Sequence, residues 1–305
     1  MQIRTFSTPD AQQTLPGLHW ELALHGESVD ARGDAALSLV KSSSQQRVQC
    51  EYDIKASRNL RLNGAKTLRR DVEALFKPGM QVLLEATTLG MVELLTLLRA
   101  ARHQRIDAVD LLYVEPREYR RDVTLDAPWT REFSLSSSRR FEAVPGFVTD
   151  LSLFEGRVGR LVTFLGYEGA RLVQAYEQLG GLAEWRKYAI FGIPGYAPGW
   201  EINALANNVA SLDKHKFDSV LYCPASAVSS AYHLLEGVFG EAGGEAPMIV
   251  APLGTKPHGI ATALFLIEHS RYQETSLVYD HPERSRNRSQ EVRRWHLYRV
   301  RFDGA

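Results

Sequence analysis

The feature that most restricts the fold is an alternation of short apolar runs with helical stretches, beginning near residue 80. The run Gln81–Glu85 is followed by Met91–Arg99, where Leu94, Leu95 and Leu98 share one helical face, and then by the run Val109–Val114. Arg160–Leu165 precedes a helical pattern over Ala170–Leu179, and Tyr188–Phe191 precedes one over Glu201–Asp213. Ser219–Tyr222 leads to Val228–Phe239, Met248–Ala251 leads to Ile260–Glu268, and Ser276–Tyr279 closes the series. Apolar strands separated by helices are the pattern of a parallel sheet covered on both faces. The expected fold is α/β: a Rossmann-like, mostly parallel sheet with helices on both faces, plus an N-terminal β-rich segment. Right-handed crossovers place every strand-to-helix loop along one edge of such a sheet.

Residues 1–79 read differently. Leu18–Leu24 and Gln46–Ile54 alternate in part, as strands do, while Ala35–Lys41 fits either a short helix or a strand. Asp71–Phe76 stops at Lys77-Pro78-Gly79, a helix-ending signal. The expected division is an N-terminal α+β segment over 1–79 and a Rossmann-like region over 80–305. The poorly patterned stretch 116–159, with its serine triplet and Val144-Pro145-Gly146, suits an internal junction. A chain of 305 residues admits either one large domain or two smaller ones.

Charge narrows the partners. Lys plus Arg and Asp plus Glu balance at 36 each, so no broad basic face for duplex nucleic acid is expected. A local basic pocket stays open. Two cysteines without CxxC spacing point to buried thiols rather than a disulfide framework or a zinc site. The polar start and the lack of an apolar run of about 20 residues predict no signal peptide and no membrane span. A cytoplasmic protein is the expectation.

Four strand ends share a grammar of small residues followed by a helix: 86–90 (Ala-Thr-Thr-Leu-Gly), 166–169 (Gly-Tyr-Glu-Gly), 192–199 and 253–257. Glycine lets main-chain amides approach a ligand, and a helix start adds a positive dipole end. Thr87, Thr88 and Thr255 offer hydroxyls to phosphate oxygens, and Lys256 offers a charge. The plainer reading is that such turns need Gly and Thr only for turning and capping. Gly90, Gly166, Tyr167, Tyr196, Asn203 and Gly254 complete the candidate ligand set. Tyr113, Tyr119, Tyr167, Tyr196 and Trp200 cluster in these loops, a placement that suits stacking on bases and sealing of the domain edge equally. Asn203 and Asn207 share a helical face and suit bonds to a ligand or to a neighbouring loop. Neither GxGxxG nor GxxxxGK[ST] is present, so no cofactor is assigned.

The segment Gly254-Thr255-Lys256, after one strand and opening a helix, resembles the strand-Gly-Thr-Lys-helix element of CRISPR-associated Rossmann fold (CARF) sensor domains. The loop 86–90 is similar to the other ligand loop of that family. The resemblance implies a dimeric sensor of cyclic or linear oligoadenylates in antiviral defence. Thr255 and Lys256 would then hold phosphate and ribose, with Thr87 and Thr88 in the same pocket.

Acids at strand ends sustain an enzyme alternative on a nucleotide or phosphorylated metabolite, with Glu115, Glu168 and Asp280 as acid–base groups. Charged residues also fill loops as ordinary solvated groups. No HExxH-type spacing suggests a metal, and no Gly-x-Ser-x-Gly elbow suggests a nucleophilic serine. A third reading is a protein-interaction subunit of a larger complex. The leading expectation is a nucleotide-binding protein, as a homodimer or a subunit, with a phosphate-bearing ligand.

Overall fold

The computed structural model describes residues 1–9, 15, 19–54, 59–120, 133, 135–138, 141–179, 184–241, 246–269 and 274–302. The chain divides into two compact units, Met1–Tyr119 with Arg286–Ala305, and Arg120–Ser285.

The first unit is built on an eight-stranded mixed sheet. Its strands are β1 (Gln2–Thr8), β2 (Trp20–His25), β3 (Ser44–Asp53), β4 (Asn59–Leu62), β5 (Ala65–Lys66), β6 (Val82–Glu85), β7 (Ala108–Tyr119) and the final strand β15 (Ser289–Arg301). They lie in the order β1-β15-β7-β6-β2-β3-β4-β5. The strands β3, β2, β6 and β7 run parallel, and β15 and β1 extend the sheet in antiparallel pairings beyond β7. Helices α1 (Ala31–Ser43), α2 (Arg69–Glu73) and α3 (Met91–His103) belong to this unit. Asp30 caps α1 by accepting from the Gly33 amide, and Ala36, Leu39 and Val40 then cluster with Trp20, Leu83, Leu112 and Leu297. Each such fully buried aliphatic side chain stabilises the fold by about 1.5–3 kcal/mol.

The second unit carries β8 (Ser136–Ser138), β9 (Arg160–Leu165), β10 (Arg186–Gly192), β11 (Ser219–Cys223), β12 (Met248–Pro252), β13 (Thr275–Leu277) and β14 (Glu283–Arg284). Between them stand α4 (Gly169–Gln178), α5 (Glu201–His215), α6 (Val228–Gly240) and α7 (Lys256–His269). Five strands form an all-parallel sheet ordered β11-β10-β9-β12-β13, while β8 and β14 make a separate antiparallel pair. Every residue of β9 and β12 is buried, and α7 is buried from Pro257 to Ile267. A helix buried and mostly apolar all round is a core element, and mostly apolar, fully buried strands are those of a sheet covered on both faces.

The α/β, Rossmann-like class is what the sequence pattern leads one to expect. Its partition is not. β6 and β7, expected in the same sheet as the later strands, lie instead in the sheet of β2 and β3, where β6 pairs with β2 and β7 with β6, so the division expected at residue 79 runs through one sheet. Leu22, Ala23 and Leu24 on β2 are as deeply buried as Leu83 and Leu84 on β6. Apolar periodicity marks a strand as buried without naming its neighbours. The point where the chain leaves the first unit, after Tyr119, falls within the stretch 116–159, and it returns after Ser285.

Candidate functional site

In each unit the strand order turns back on itself once. In the first it does so between β2 and β6, in the second between β9 and β12. Ligands of open α/β sheets bind in the crevice beyond the carboxyl ends of the strands at such a point. Thr87, Thr88 and Gly90 follow β6, whereas Gly166, Tyr167, Gly254, Thr255 and Lys256 follow β9 and β12. The two sets therefore stand on different sheets. One sheet edge, the premise that joined Thr87 and Thr88 to Lys256, does not hold them together.

The turn after β6 is filled by its own chain. The Glu85 carboxylate, fully buried, accepts from the Thr87 amide at 2.8 Å, from the Thr88 amide at 2.9 Å and from the Thr88 hydroxyl. Thr87 Oγ1 accepts from the Val114 amide at 3.0 Å and Thr88 Oγ1 from the Gly26 amide at 2.8 Å. The amides that would cradle a phosphate already hold an anion, and the hydroxyls tie β2, β6 and β7 together. Gly26 is glycine for a steric reason, since a Cβ there would run into the Thr88 carbonyl. Gly90 serves as the N-cap residue of α3, with the Glu93 carboxylate where its Cβ would be.

The turns after β9 and β12 are packed against each other. A Cβ on Gly166 would lie 2.5 Å from Leu253 O, and one on Gly254 would lie 3.0 Å from His258 Nδ1 and 3.1 Å from Phe164 Cβ. Thr255 Oγ1 donates to Ala225 O at 2.7 Å and accepts from the His258 amide at 3.4 Å, a capping arrangement for α7. Lys256, half-buried, is the first residue of that helix. Asn207 and Asn208 on α5 donate to the Tyr167 and Gly166 carbonyls at 2.6 and 2.8 Å. Of the two roles open to these asparagines, Asn207 takes the bond to a neighbouring loop. Asn203 is buried on the same helix. Tyr167 stands edge-on to Trp200, with centroids 6.4 Å apart, and beside Phe133 at 4.9 Å. Tyr196 is buried in the loop between β10 and α5.

The three candidate acids all carry internal partners. Asp280, fully buried, holds Arg171 of α4 through two bonds of 2.6 and 2.7 Å, and Arg171 also donates to Leu253 O at 3.3 Å. Burial alone would lower the Arg171 pKa, but its bonds and charge contact with Asp280 outweigh that and raise it. Glu168 accepts from the Leu135 and Ser136 amides at 3.2 Å each and from Ser136 Oγ at 2.8 Å. Glu115, in the first unit, lies 2.9 Å from His296 Nε2 and 3.3 Å from Arg293 Nε.

His296 and Ser7 went unnoticed in the sequence. A carboxylate only accepts, so His296 Nε2 donates to Glu115, and its Nδ1 lies 2.8 Å from Ser7 Oγ. Ser7 faces His296 directly in the β1–β15 register, so ordinary cross-strand pairing accounts for this contact. Arg171 was also missed. Its signal was an arginine in the first turn of a helix, where the dipole disfavours a cation unless an acid is near.

His258, the third residue of α7, is fully buried, with Nε2 3.2 Å from Pro224 O and 3.3 Å from Cys223 Sγ. Burial drives its pKa down to about 4 despite the bond to Pro224. Burial likewise pushes the Cys223 thiol up to about 12. Two neutral groups pack there, and a nucleophilic thiolate is not available at neutral pH. Among the described residues no group of three or more His, Cys, Asp or Glu is placed to hold a metal, and no helix is long and apolar enough to cross a membrane. No family model matches the chain, and no curated protein or solved structure matches it.

Proposed function

We propose that the second unit binds a nucleotide, or another phosphate-bearing small molecule, beyond the turns that follow β9 and β12. One observation carries this reading: the strand order reverses between those two strands, so their turns flank the place where open α/β sheets take ligands. The starts of α4 and α7 both follow these turns and add positive dipole ends. Lys256 supplies a full charge, and Tyr167 and Trp200 supply aromatic surface of the kind on which bases stack. Thr255 supports the site by shaping the turn rather than by offering its hydroxyl. The candidate site here is Gly166, Tyr167, Gly254, Thr255 and Lys256, with Tyr196 and Asn203 on the adjoining segment.

Binding is favoured over turnover because Glu168 and Asp280 are engaged as acceptors within the unit, Asp280 by a buried guanidinium. A sensor of a cyclic or linear oligonucleotide, dimeric and acting in antiviral defence, is the form of this reading that the CARF resemblance favours, and it rests on that resemblance. A reducing, cytoplasmic setting agrees with two buried cysteines that form no disulfide. The test is calorimetric titration of the purified chain with mono- and dinucleotides and with linear and cyclic oligoadenylates. Lys256→Ala is expected to weaken binding by about tenfold or more, the loss of one charge-assisted phosphate contact. Glu168→Gln is expected to retain binding. No binding by the native chain to any of these ligands overturns the reading.

A further inference from the structure

We propose a second anion site, in the first unit, at the amino ends of β2, β6 and β7 and so on the opposite rim from the Thr87 turn. A cavity of about 490 Å³ opens there, lined by Arg4 on β1, Arg299 and Arg301 on β15, Trp20 on β2, the turn Gly79–Val82, and the acids Asp107 and Asp110. That volume lies within the range of small-molecule sites, roughly 300–1,000 Å³.

The sheet register brings the three arginines together. Arg4 pairs directly with Arg299, and Gln2 pairs with Arg301. Residues two apart on a strand share a face, so Arg299, Arg301 and Arg4 project on the same side of the sheet. Like charges directly opposite on paired strands destabilise them. One charge is answered: Asp110 accepts from Arg299 Nε and Nη2, both at 2.8 Å, and from Trp20 Nε1 at 3.0 Å. This fixes the Arg299 fork and the indole beside it. The guanidinium groups of Arg4 and Arg301 have no hydrogen-bond or ion-pair partner among the described residues. Asp107 stands on the same wall, so the cavity has one cation in excess of its acids.

Two exposed guanidiniums flanking an immobilised third are suited to an oxyanion, which planar N–H pairs grip through two oxygens at once. The occupant is a small phosphorylated molecule. Its phosphate sits between Arg4 and Arg301, and its polar remainder faces Gln2, Gln81 and Asp107. The site is independent of the nucleotide reading of the second unit, and nothing in it uses Lys256.

Thermal shift and calorimetry with inorganic phosphate, pyrophosphate and phenyl phosphate test it. In phosphate-free buffer the double variant R4A/R301A is expected to melt no lower than the native chain, because it removes like-charge crowding. Its affinity for the phosphorylated probes is expected to fall by about tenfold or more, while Lys256→Ala leaves that affinity unchanged. Phenyl phosphate binding more tightly than inorganic phosphate marks an organic ligand, and the reverse order marks free phosphate; either supports the site. Equal affinity in the native chain and in R4A/R301A overturns the proposal, as does no binding of any probe by the native chain. Loss of binding in Lys256→Ala alone assigns the anion to the second unit and overturns it too.

Discussion

The two units reverse their strand order at one place each, and the two places are closed by different chemistry. In the first, β6 ends on Glu85, whose carboxylate folds into the following turn and takes the Thr87 and Thr88 amides. In the second, β12 ends on Pro252, which offers neither acid nor amide, and the turn runs on to Lys256 at the head of α7. The buried charge there is a pair, Arg171 with Asp280, set beside the turn. Similar small-residue turns thus serve opposite ends. An internal anion satisfies the first turn, whereas the second ends on a lysine at the first position of the following helix. Threonine and glycine in a strand-to-helix turn do not announce a phosphate site unless the residue closing the strand is also considered.

That contrast can be broken at several points. The largest effect is expected from Asp280→Ala, which takes from the buried Arg171 guanidinium its two closest bonds. A loss of about 3–5 kcal/mol is expected in chemical denaturation, and retention of native stability would show that water reaches Arg171. Gly26→Ala strikes the first reversal point, where a Cβ meets the Thr88 carbonyl. Overpacking of this sort costs about 1–3 kcal/mol, read as a lower urea midpoint with an unchanged slope. Glu85→Gln retains the shape but gives the turn a donor where it needs an acceptor. A loss of about 1.5–3 kcal/mol is expected, and a stabilised variant would mean that the turn prefers an external anion after all.

A gentler probe is pH. The His258 imidazole titrates near 4 in the folded chain against an ordinary 6.5. Between those values the unfolded chain takes up a proton that the folded one refuses, so this contribution is complete above pH 6.5 and lost as the pH falls toward 4. His258→Asn should flatten the fall in urea midpoint over the upper part of that window, above the range where most carboxylates titrate. The smallest effect is expected from Lys256→Ala, whose stability should stay within about 0.5 kcal/mol of the native chain. A larger change would recast Lys256 as a structural residue and remove the charge on which the second reversal point relies.

Element type was legible because buried strands such as β9 and β12 are mostly apolar on both faces, and α7 mostly apolar all round. Which strands share a sheet was not. Trp20, Leu22 and Leu24 read as part of a separate N-terminal segment, yet β2 sits centrally between β6 and β3. A central strand and an edge strand of the same composition differ only in what lies beside them, and that is decided by distant residues. Single turns were legible as turns, but their use was not. Gly166 and Gly254 are small so that two turns can touch, and Asn207 and Asn208 bind carbonyls about 40 positions away. The Arg4–Arg299 pair was hidden for the same reason, since its members stand at opposite ends of the chain and meet only through the β1–β15 register.

The place of β15 has a consequence for how the molecule is made. This strand lies between β1 and β7, yet the ribosome delivers it after the whole second unit. Until then β1 lacks the strand it pairs with among the described residues, and β7 presents a long open edge that invites pairing with another nascent chain. The second unit, contiguous in sequence, is free to mature first, so the older half of the polypeptide is the last to become native. Chaperone demand during synthesis should therefore track residues 286–302 rather than total length, and it should ease when that strand is supplied in trans as a peptide.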